Sequence, residues 1–214
     1  MQSFVVLHRW PVAETGWLLN VFTRQHGHLM LRGPHSRTLQ LHTHYQGDWC
    51  AEQDWPRLKL AEPLQSFPLQ AEYLYCGSYL NELLVRLLPQ GEAVEAIYDL
   101  YLQALAALSQ QQLAEPWLRV FEYRLLSSLG YHFDWHRQLD GSPVREQQHY
   151  QFVQQEGFVE RADGPYRGEW LLQIGRGHFN LQTLPVAKHV LRQALAARLP
   201  AGLVSRELFN QPRG

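Results

Sequence analysis

The sequence predicts a two-domain α+β protein, with a small antiparallel β-barrel over residues 1–68 and an α-helical domain with a small β-hairpin over residues 69–214. Two observations lead to this fold class. Short segments of alternating apolar and polar residues, broken by Gly and Pro, occupy the N-terminal part. Longer segments with apolar residues at helical spacing follow them. Pro63 and Pro68 lie between the two patterns and mark the domain boundary.

Five segments of the N-terminal part have the alternating pattern of β-strands. Between the second and the third, Gln25-His26-Gly27 predicts a hairpin turn, with Gly27 available for a positive φ angle. After the fourth, Gly47-Asp48 predicts another turn, and in the fifth we expect Leu58 and Leu60 to face the core. Five short strands suit a closed barrel of the OB type, because closure leaves no exposed sheet edge. The predicted strands are residues 3–9, 17–24, 28–32, 38–46 and 57–60.

Three amphipathic helices are predicted after the barrel. The first, at residues 74–88, has leucines at positions i, i+3, i+4, i+7 and i+8, which are Leu80, Leu83, Leu84, Leu87 and Leu88. The second covers residues 97–108, and the third begins at Glu115-Pro116 and ends at Gly130. The rest of the chain predicts a hairpin from residues 150–153 and 158–160, and helical segments at residues 167–174, 184–199 and 205–209.

The charged residues are distributed unevenly along the chain. A net charge of −1 is not the strongly basic composition typical of nucleic-acid-binding proteins. Residues 1–68 nevertheless hold six Lys/Arg against five Asp/Glu, residues 69–130 three against seven, and residues 161–214 eight against three. Six of the 11 His lie in the first 68 residues, so we expect this part to become more cationic just below neutral pH. The two ends of the chain are therefore the candidates for binding an anion.

The sequence predicts a cytoplasmic protein. No apolar run is long enough to span a bilayer, so no membrane association is expected, and residues 1–10 lack the features of a signal peptide. Cys50 and Cys76 are expected to be reduced thiols, and two cysteines cannot form a four-thiolate zinc site.

The motifs of common enzyme families are absent from the sequence, which contains no G-x-S-x-G, P-loop, G-x-G-x-x-G or H-E-x-x-H pattern. We therefore predict no catalytic residue, no cofactor, no metal and no enzymatic activity. One alternative is a metal-dependent enzyme in which His28, His42 and His44 hold an ion. A solvated, His-rich strand face is favoured, because no adjacent carboxylate completes such a site.

Basic and aromatic residues of the predicted barrel favour binding of single-stranded nucleic acid, since cations follow phosphates and bases stack on rings. A second set of basic residues lies on the helix predicted at residues 184–199, although a charged helix face is often only a solvated surface. The candidate rings, which could instead fill the barrel core, are Trp10, Trp17, Tyr45, Trp49 and Trp55. The candidate cations are Arg24, Arg32, Arg37, Arg57, Lys59, Lys188, Arg192 and Arg198.

Two arginines of the third predicted helix, Arg119 and Arg124, border its apolar stripe. They suit the acidic end of a peptide whose apolar tip enters a groove. The alternative is that they pair with Glu115 and Glu122 nearby.

Several segments, taken in order, resemble the RecO family of bacterial recombination mediators and DNA repair proteins. The helix at residues 74–88 contributes four of the matching residues. The matching segments are Phe4-Val5-Val6-Leu7-His8, Glu14-Thr15, Val21-Phe22-Thr23, Gly77 with Asn81-Glu82-Leu83, Phe121-Glu122, Leu125-Leu126, Leu129-Gly130-Tyr131, Gly157-Phe158 and Ser205-Arg206-Glu207-Leu208-Phe209.

The resemblance implies an OB barrel, a helical C-terminal domain and a non-enzymatic role at the bacterial nucleoid. It implies binding of single- and double-stranded DNA, annealing of complementary strands, and action with RecR to load RecA onto DNA coated by single-stranded-DNA-binding protein. The acidic, Phe-ended tail of that coat protein is a family partner, and the resemblance assigns tail binding to Arg119.

The chain departs from the family pattern in three ways. Many relatives have a four-Cys zinc site, which this chain cannot form, so zinc is predicted to be absent. Their Lys/Arg-dense segment is shortened here to residues 32–37, which weakens the expected DNA affinity of the barrel. The chain also has no basic tail, so DNA binding rests more on the C-terminal candidates, which include Arg206. An alternative function is therefore a protein-interaction adaptor with little intrinsic DNA affinity.

Overall fold

A computed structural model of the protein describes residues 1–12, 16–33, 39–52, 54–131 and 133–205. The chain divides into two compact units. The first contains Met1–Ala114 and the segment that begins at Leu203, and the second is Glu115–Gly202. The barrel and the two helices that follow it thus share one unit. The domain boundary expected after residue 68 stays a prediction.

The first unit contains the predicted OB-type barrel. Its strands are β1 (Gln2–Val12), β2 (Gly16–Thr23), β3 (Gly27–Gly33), β4 (Thr43–Cys50) and β5 (Arg57–Ser66). They form a closed barrel in the order β1-β2-β3-β5-β4, in which β4 pairs with β1 and β5 approaches β3 in parallel. Gly27 ends the β2–β3 turn with a φ of 64°, which confirms the hairpin. The inward-facing core is Phe4, Val6, Leu19, Val21, Leu31, Leu39, Tyr45, Leu58 and Ala61.

Two expectations about the last two strands are wrong. Gly47 and Asp48 do not turn the chain, because both lie within β4. A Cβ atom on Gly47 would lie 2.6 Å from the carbonyl oxygen of Leu60, so glycine here permits a close approach of two strands. Leu60 is 42% exposed while Ala61 is buried. The pairing register shifts by one residue between Asp48 and Trp49, and this shift moves Leu60 to the outer face.

The bounds of β4 and β5 also differ from the prediction. β4 begins at Thr43, since Leu41 and His42 form a turn before it. β5 continues through Pro63 to Ser66. A second register shift, between His44 and Tyr45, lies opposite this proline, and irregular pairing of this kind tolerates the missing N–H group.

Two helices pack within the first unit, α1 (Glu72–Leu87) and α2 (Glu95–Ser109). The apolar stripe of α1 is confirmed, with Leu80, Leu83 and Leu84 fully buried. Buried polar contacts link α1 to the barrel and α2 to α1. The side-chain amide of Asn81 donates to the backbone oxygen of Leu7 over 2.9 Å, and the hydroxyl of Tyr101 donates to Asn81 Oδ1 over 2.5 Å.

The second unit is helical with a small sheet. Its elements are α3 (Ala114–Ser128), β6 (His149–Val153), β7 (Gly157–Glu160), β8 (Tyr166–Arg167), α4 (Gly168–Gly175) and α5 (Thr183–Ala196). The predicted hairpin is confirmed as β6 and β7, and β8 adds a third strand beside β6. The rings of Phe133, Trp135, Phe152 and Phe158 contact one another at centroid distances from 4.8 to 5.7 Å. Among the residues that the structure describes, no helix is both long enough and apolar enough to cross a membrane.

Candidate nucleic-acid interface

Four barrel strands bring an aromatic ring and two guanidinium groups into one row, here called the outer row. Trp10 of β1 pairs with Leu18 of β2, Leu18 pairs with Arg32 of β3, and Arg32 pairs with Arg57 of β5. Residues directly opposite each other project to the same side of a sheet, so these four share one face. Leu19, the next residue of β2, is in the core, and the row therefore faces outwards.

The outer row has the composition that single-stranded nucleic acid requires. Neighbouring strands are about 4.8 Å apart, so the row spans roughly 14 Å from β1 to β5. Trp10 is 38% exposed at one end, and the Arg57 side chain is 64% exposed at the other. Lys59 and Trp55, both exposed, lie within two residues of Arg57. A base can stack on the rings while the cations contact phosphates.

Glu52 holds the two arginines of the outer row. Its Oε1 lies 2.6 Å from Arg57 Nη2, and its Oε2 lies 3.4 Å from Arg32 Nη1. The three side chains together carry one net positive charge. The sequence pattern did not identify Glu52, because the DNA-binding candidates were cations and aromatic rings, and Glu52 is a carboxylate between two of those cations.

Arg24 is also held by carboxylates. Its Nε and Nη2 atoms donate to the two carboxylate oxygens of Asp99, each over 3.1 Å, and its Nη1 lies 2.6 Å from Glu95 Oε2. The hydrogen bond and charge of Asp99 raise the pKa of Arg24 above its usual value. Arg24 thus faces two acidic residues of α2 within the same unit. Its assignment to DNA binding stays a prediction, and Arg37 lies outside the described residues.

The candidate rings separate into core and surface. Tyr45 is buried and stacks on Phe4 with a centroid distance of 5.4 Å, so its ring fills the barrel core. Trp17 and Trp49 are partly buried against the same core. Trp10 and Trp55 are the more exposed rings, at 38% and 40%.

Burial favours the neutral form of four of the six histidines in residues 1–68. Burial lowers the pKa of His8, His28 and His44, and lowers that of His42 to about 4. The expectation that the first 68 residues become distinctly cationic just below neutral pH is therefore wrong for these four side chains. The effect is largest for His42, which is buried, because burial disfavours the charged imidazolium; His28 is also buried, His44 is half-buried and His8 is exposed.

Acidic pH is expected to destabilise the first unit through His42. In the unfolded chain this imidazole has a pKa of 6.5, and in the folded chain about 4. The unfolded state therefore takes up a proton that the folded state excludes, so stability is full above pH 6.5 and falls as the pH drops towards 4. The loss from this one residue is about 2 kcal/mol at pH 5.

Urea unfolding from about pH 7.5 to pH 5 measures this loss. His42→Asn is the matched variant, because asparagine tolerates the positive φ of 52° at this position. The free energy of unfolding of His42→Asn should depend less steeply on pH than that of the parent. Parallel pH profiles would show that His42 protonation does not couple to folding.

The three histidines considered as metal ligands do not form a metal cluster. Within the described ranges, no group of three or more His, Cys, Asp or Glu side chains is placed to hold an ion. His28 Nε2 contacts Asn20 Oδ1, and the ring of His44 lies edge-on to Tyr98. Cys50 and Cys76 do not form a disulfide.

The C-terminal cations lie in different environments within the second unit. Lys188 Nζ lies 2.5 Å from Glu115 Oε1, and the guanidinium of Arg198 lies 3.7 Å from the ring centroid of Tyr131. Arg192 is exposed on α5. Arg206 lies outside the described residues. Their part in DNA binding stays a prediction.

The two arginines of α3 differ in burial. Arg119 is only 4% exposed, and its Nη2 donates to Glu122 Oε1 over 2.8 Å. This contact matches the alternative in which the α3 arginines pair with nearby acidic residues. Arg124 is exposed on the same helix. Binding of an acidic peptide by these two residues stays a prediction.

The matching residues Asn81 and Glu82 of α1 have structural contacts. Asn81 joins α1 to β1, as described above. The Glu82 carboxylate accepts hydrogen bonds from the backbone N–H groups of Val204 and Ser205, each over 2.8 Å, and from the Ser205 hydroxyl. These bonds and the charge of Arg86 lower the pKa of Glu82 against the opposing effect of burial. Sequence analysis gave neither residue a role, since both contact residues far away in the chain.

Comparison with known proteins gives consistent matches. A family model described as "Recombination protein O C terminal" matches residues 69–207. The DNA repair protein RecO of Actinobacillus pleuropneumoniae serotype 7 is 36% identical over 221 residues, covering 96% of this chain and 92% of the relative. That of Vibrio cholerae serotype O1 is 35% identical over 226 residues, covering 99% and 94%. That of Idiomarina loihiensis is 34% identical over 231 residues, covering 98% and 97%.

The fold and these matches define the class of protein. The chain has an OB-type barrel followed by helices and a small sheet, and these relatives match it along nearly all of its length. It is therefore a protein of DNA repair and recombination. The chain belongs to the RecO family.

Proposed function

We propose that the chain is a DNA-binding recombination mediator without catalytic activity. It binds single- and double-stranded DNA and anneals complementary single strands. With RecR, it helps to load RecA onto DNA coated by single-stranded-DNA-binding protein, so that RecA is an indirect partner. In this proposal the protein acts in the bacterial cytoplasm, at the nucleoid.

The outer row is the observation that supports DNA binding most directly. It combines the exposed ring of Trp10 with Arg32 and Arg57, and Lys59 lies just beyond on β5. Stacking on a ring contributes about 1 to 3 kcal/mol per base and tolerates any sequence, while cations contact the backbone of any sequence. Such a surface suits a mediator, which must bind DNA of any sequence. Arg192 on α5 supplies a further exposed cation in the second unit.

The test is fluorescence anisotropy of a labelled single-stranded oligonucleotide across a salt titration. We expect binding at low salt that weakens steeply as salt increases, because each phosphate contact releases about one counterion. An annealing assay with two complementary strands follows directly. The absence of DNA binding at low salt would overturn the mediator proposal.

The alternative function is a protein-interaction adaptor with little intrinsic DNA affinity. One observation favours it: carboxylates contact three of the arginines predicted to bind DNA, with Asp99 and Glu95 at Arg24 and Glu52 at Arg32 and Arg57. An adaptor would bind its protein partners equally well with or without DNA. The same salt titration separates the two proposals.

Binding of the acidic, Phe-ended tail of single-stranded-DNA-binding protein is expected to depend on Arg124. Reversing this exposed charge with Arg124→Glu should weaken binding of a labelled acidic tail peptide about tenfold, because one charge-assisted contact is lost. Fluorescence anisotropy of the peptide measures the change. Arg119→Glu is unsuitable, since it places a second carboxylate beside the buried Glu122 and should unfold the protein.

The control for this experiment is Arg192→Glu, which makes the same charge change at an exposed arginine of α5. It should leave peptide affinity within about twofold. Unchanged peptide affinity in Arg124→Glu, or equal losses in both variants, would remove Arg124 from the peptide site.

A further inference from the structure

We propose that Glu52 occupies a phosphate-binding site between Arg32 and Arg57 in the free protein, and that a phosphodiester of the DNA backbone displaces it on binding. This inference rests on the proposed DNA binding of the barrel and adds to it a specific site and a competing group. The ligand is one phosphate of a nucleic acid strand, whatever its base sequence.

The geometry of the three side chains is that of an anion held by two guanidinium groups. Each arginine contacts a different oxygen of the same carboxylate, Arg57 at 2.6 Å and Arg32 at 3.4 Å. A phosphodiester likewise presents two anionic oxygens to N–H donors, and arginine pairs with carboxylate and phosphate in the same manner. Two guanidinium groups that hold a carboxylate in this way therefore also suit a phosphate.

The backbone fixes the spacing of the two arginines. Arg32 and Arg57 are paired residues on neighbouring strands, and the N–H of Arg32 donates to the carbonyl oxygen of Pro56 over 2.8 Å. Their side chains therefore start from adjacent positions on one face, independently of Glu52. Glu52 precedes β5 and is not part of this strand pairing. Displacement of its carboxylate leaves the arginine pair in place.

The site is open to solvent on the arginine side. The Arg57 side chain is 64% exposed and that of Arg32 is 35% exposed, while that of Glu52 is 22% exposed. Ion pairs between exposed groups are weak and exchange with other ions, so a phosphate held in place by its neighbours on the strand competes effectively. An isolated phosphate ion lacks that advantage. Glu52 thus favours a polymer over a small anion.

Removal of the competing carboxylate should strengthen DNA binding. Glu52→Gln leaves both guanidinium charges available, and we expect affinity for a single-stranded oligonucleotide to rise about tenfold at roughly 0.1 M salt. The logarithmic dependence on salt should steepen by about one unit, because one more counterion is released. Anisotropy across a salt titration measures both quantities, and urea unfolding checks that the variant is folded.

The matched control is Glu62→Gln. Glu62 is exposed on β5 of the same barrel, and its substitution changes the net charge by the same amount. It should alter DNA affinity by less than about twofold, since a distant exposed charge is screened by salt. Equal effects in Glu52→Gln and Glu62→Gln would overturn the inference and leave the proposed function intact.

A second control connects the effect to the arginines. In a chain that already carries Arg32→Gln and Arg57→Gln, the substitution Glu52→Gln should give no gain in DNA affinity. A gain that persists there would show that Glu52 acts elsewhere, and the inference would fail. If neither the parent nor Glu52→Gln binds DNA at low salt, both the inference and the mediator proposal fail. Binding by Glu52→Gln but not by the parent would show that DNA does not displace Glu52, and it would overturn both the inference and the mediator proposal.

Discussion

Neutralising both arginines of the outer row, with Arg32→Gln and Arg57→Gln together, is expected to lower affinity for single-stranded DNA about tenfold at roughly 0.1 M salt. The two arginines together contact one phosphate, and the loss of one phosphate contact costs about one power of ten under these conditions. The slope of the logarithm of affinity against the logarithm of salt should flatten by about one unit. Loss of affinity with an unchanged slope would mean that the arginines do not contact phosphates.

Arg24→Gln is the control for this double variant. It removes a cation from the same barrel, but one that already faces Asp99 and Glu95. We expect a change in DNA affinity of less than about threefold, together with a small loss of stability from the broken ion pairs. If Arg24→Gln weakens DNA binding as much as the double variant, then affinity depends on the net charge of the barrel, and the row has no special role.

Local pattern was sufficient for the elements whose residues alternate regularly. The strands β1 to β3 and the buried leucines of α1 follow directly from apolar spacing. Leu60 shows the limit of prediction from alternation alone. Its position in the alternation pointed inwards, but a one-residue register shift between Asp48 and Trp49 of β4 reverses it. A shift in register depends on the partner strand and is invisible in the strand itself.

The candidate site was less predictable than the fold, because charge partners come from distant parts of the chain. Arg24 and Asp99 are separated by 75 residues, and Lys188 and Glu115 by 73. Composition identifies the cations but not the carboxylates that contact them. Arg119 is the informative exception. Its partner Glu122 is one helical turn away, and this local pairing was among the expectations.

The histidines are a second case in which burial decided the chemistry. Their number in the first 68 residues suggested a surface that gains charge below neutral pH. His42, however, is buried beside the backbone of α1, where a Cβ atom on Gly77 would lie 2.8 Å from its Nε2. A group enclosed in this way stays neutral until the pH is low enough for its protonation to destabilise the fold. These histidines therefore couple pH to stability more than to DNA binding.

Gly27→Ala is expected to destabilise the protein by about 3 kcal/mol or more, through a contact that the hairpin pattern did not reveal. A positive φ of 64° alone makes alanine unfavourable at this turn, typically by about 1 kcal/mol or slightly more. The added Cβ would also lie 1.8 Å from the carbonyl oxygen of Glu92, an impossible separation. The segment that holds Glu92 is fixed nearby, since the N–H of Gly91 donates to the carbonyl oxygen of His28 over 3.0 Å. Accommodation of the methyl group therefore requires this backbone pairing to break, at the further cost of its hydrogen bond.

Gly91→Ala separates the two contributions. Gly91 has a similar φ of 79°, but a Cβ atom there has no neighbour within 4 Å. It should therefore lose only the conformational part, about 1 kcal/mol. Urea unfolding of the two variants side by side measures the difference, which we expect to be about 2 kcal/mol or more in favour of Gly91→Ala. Equal losses would mean that the segment after α1 moves away from the β2–β3 turn at little cost, and that glycine at position 27 is needed for its backbone angle alone.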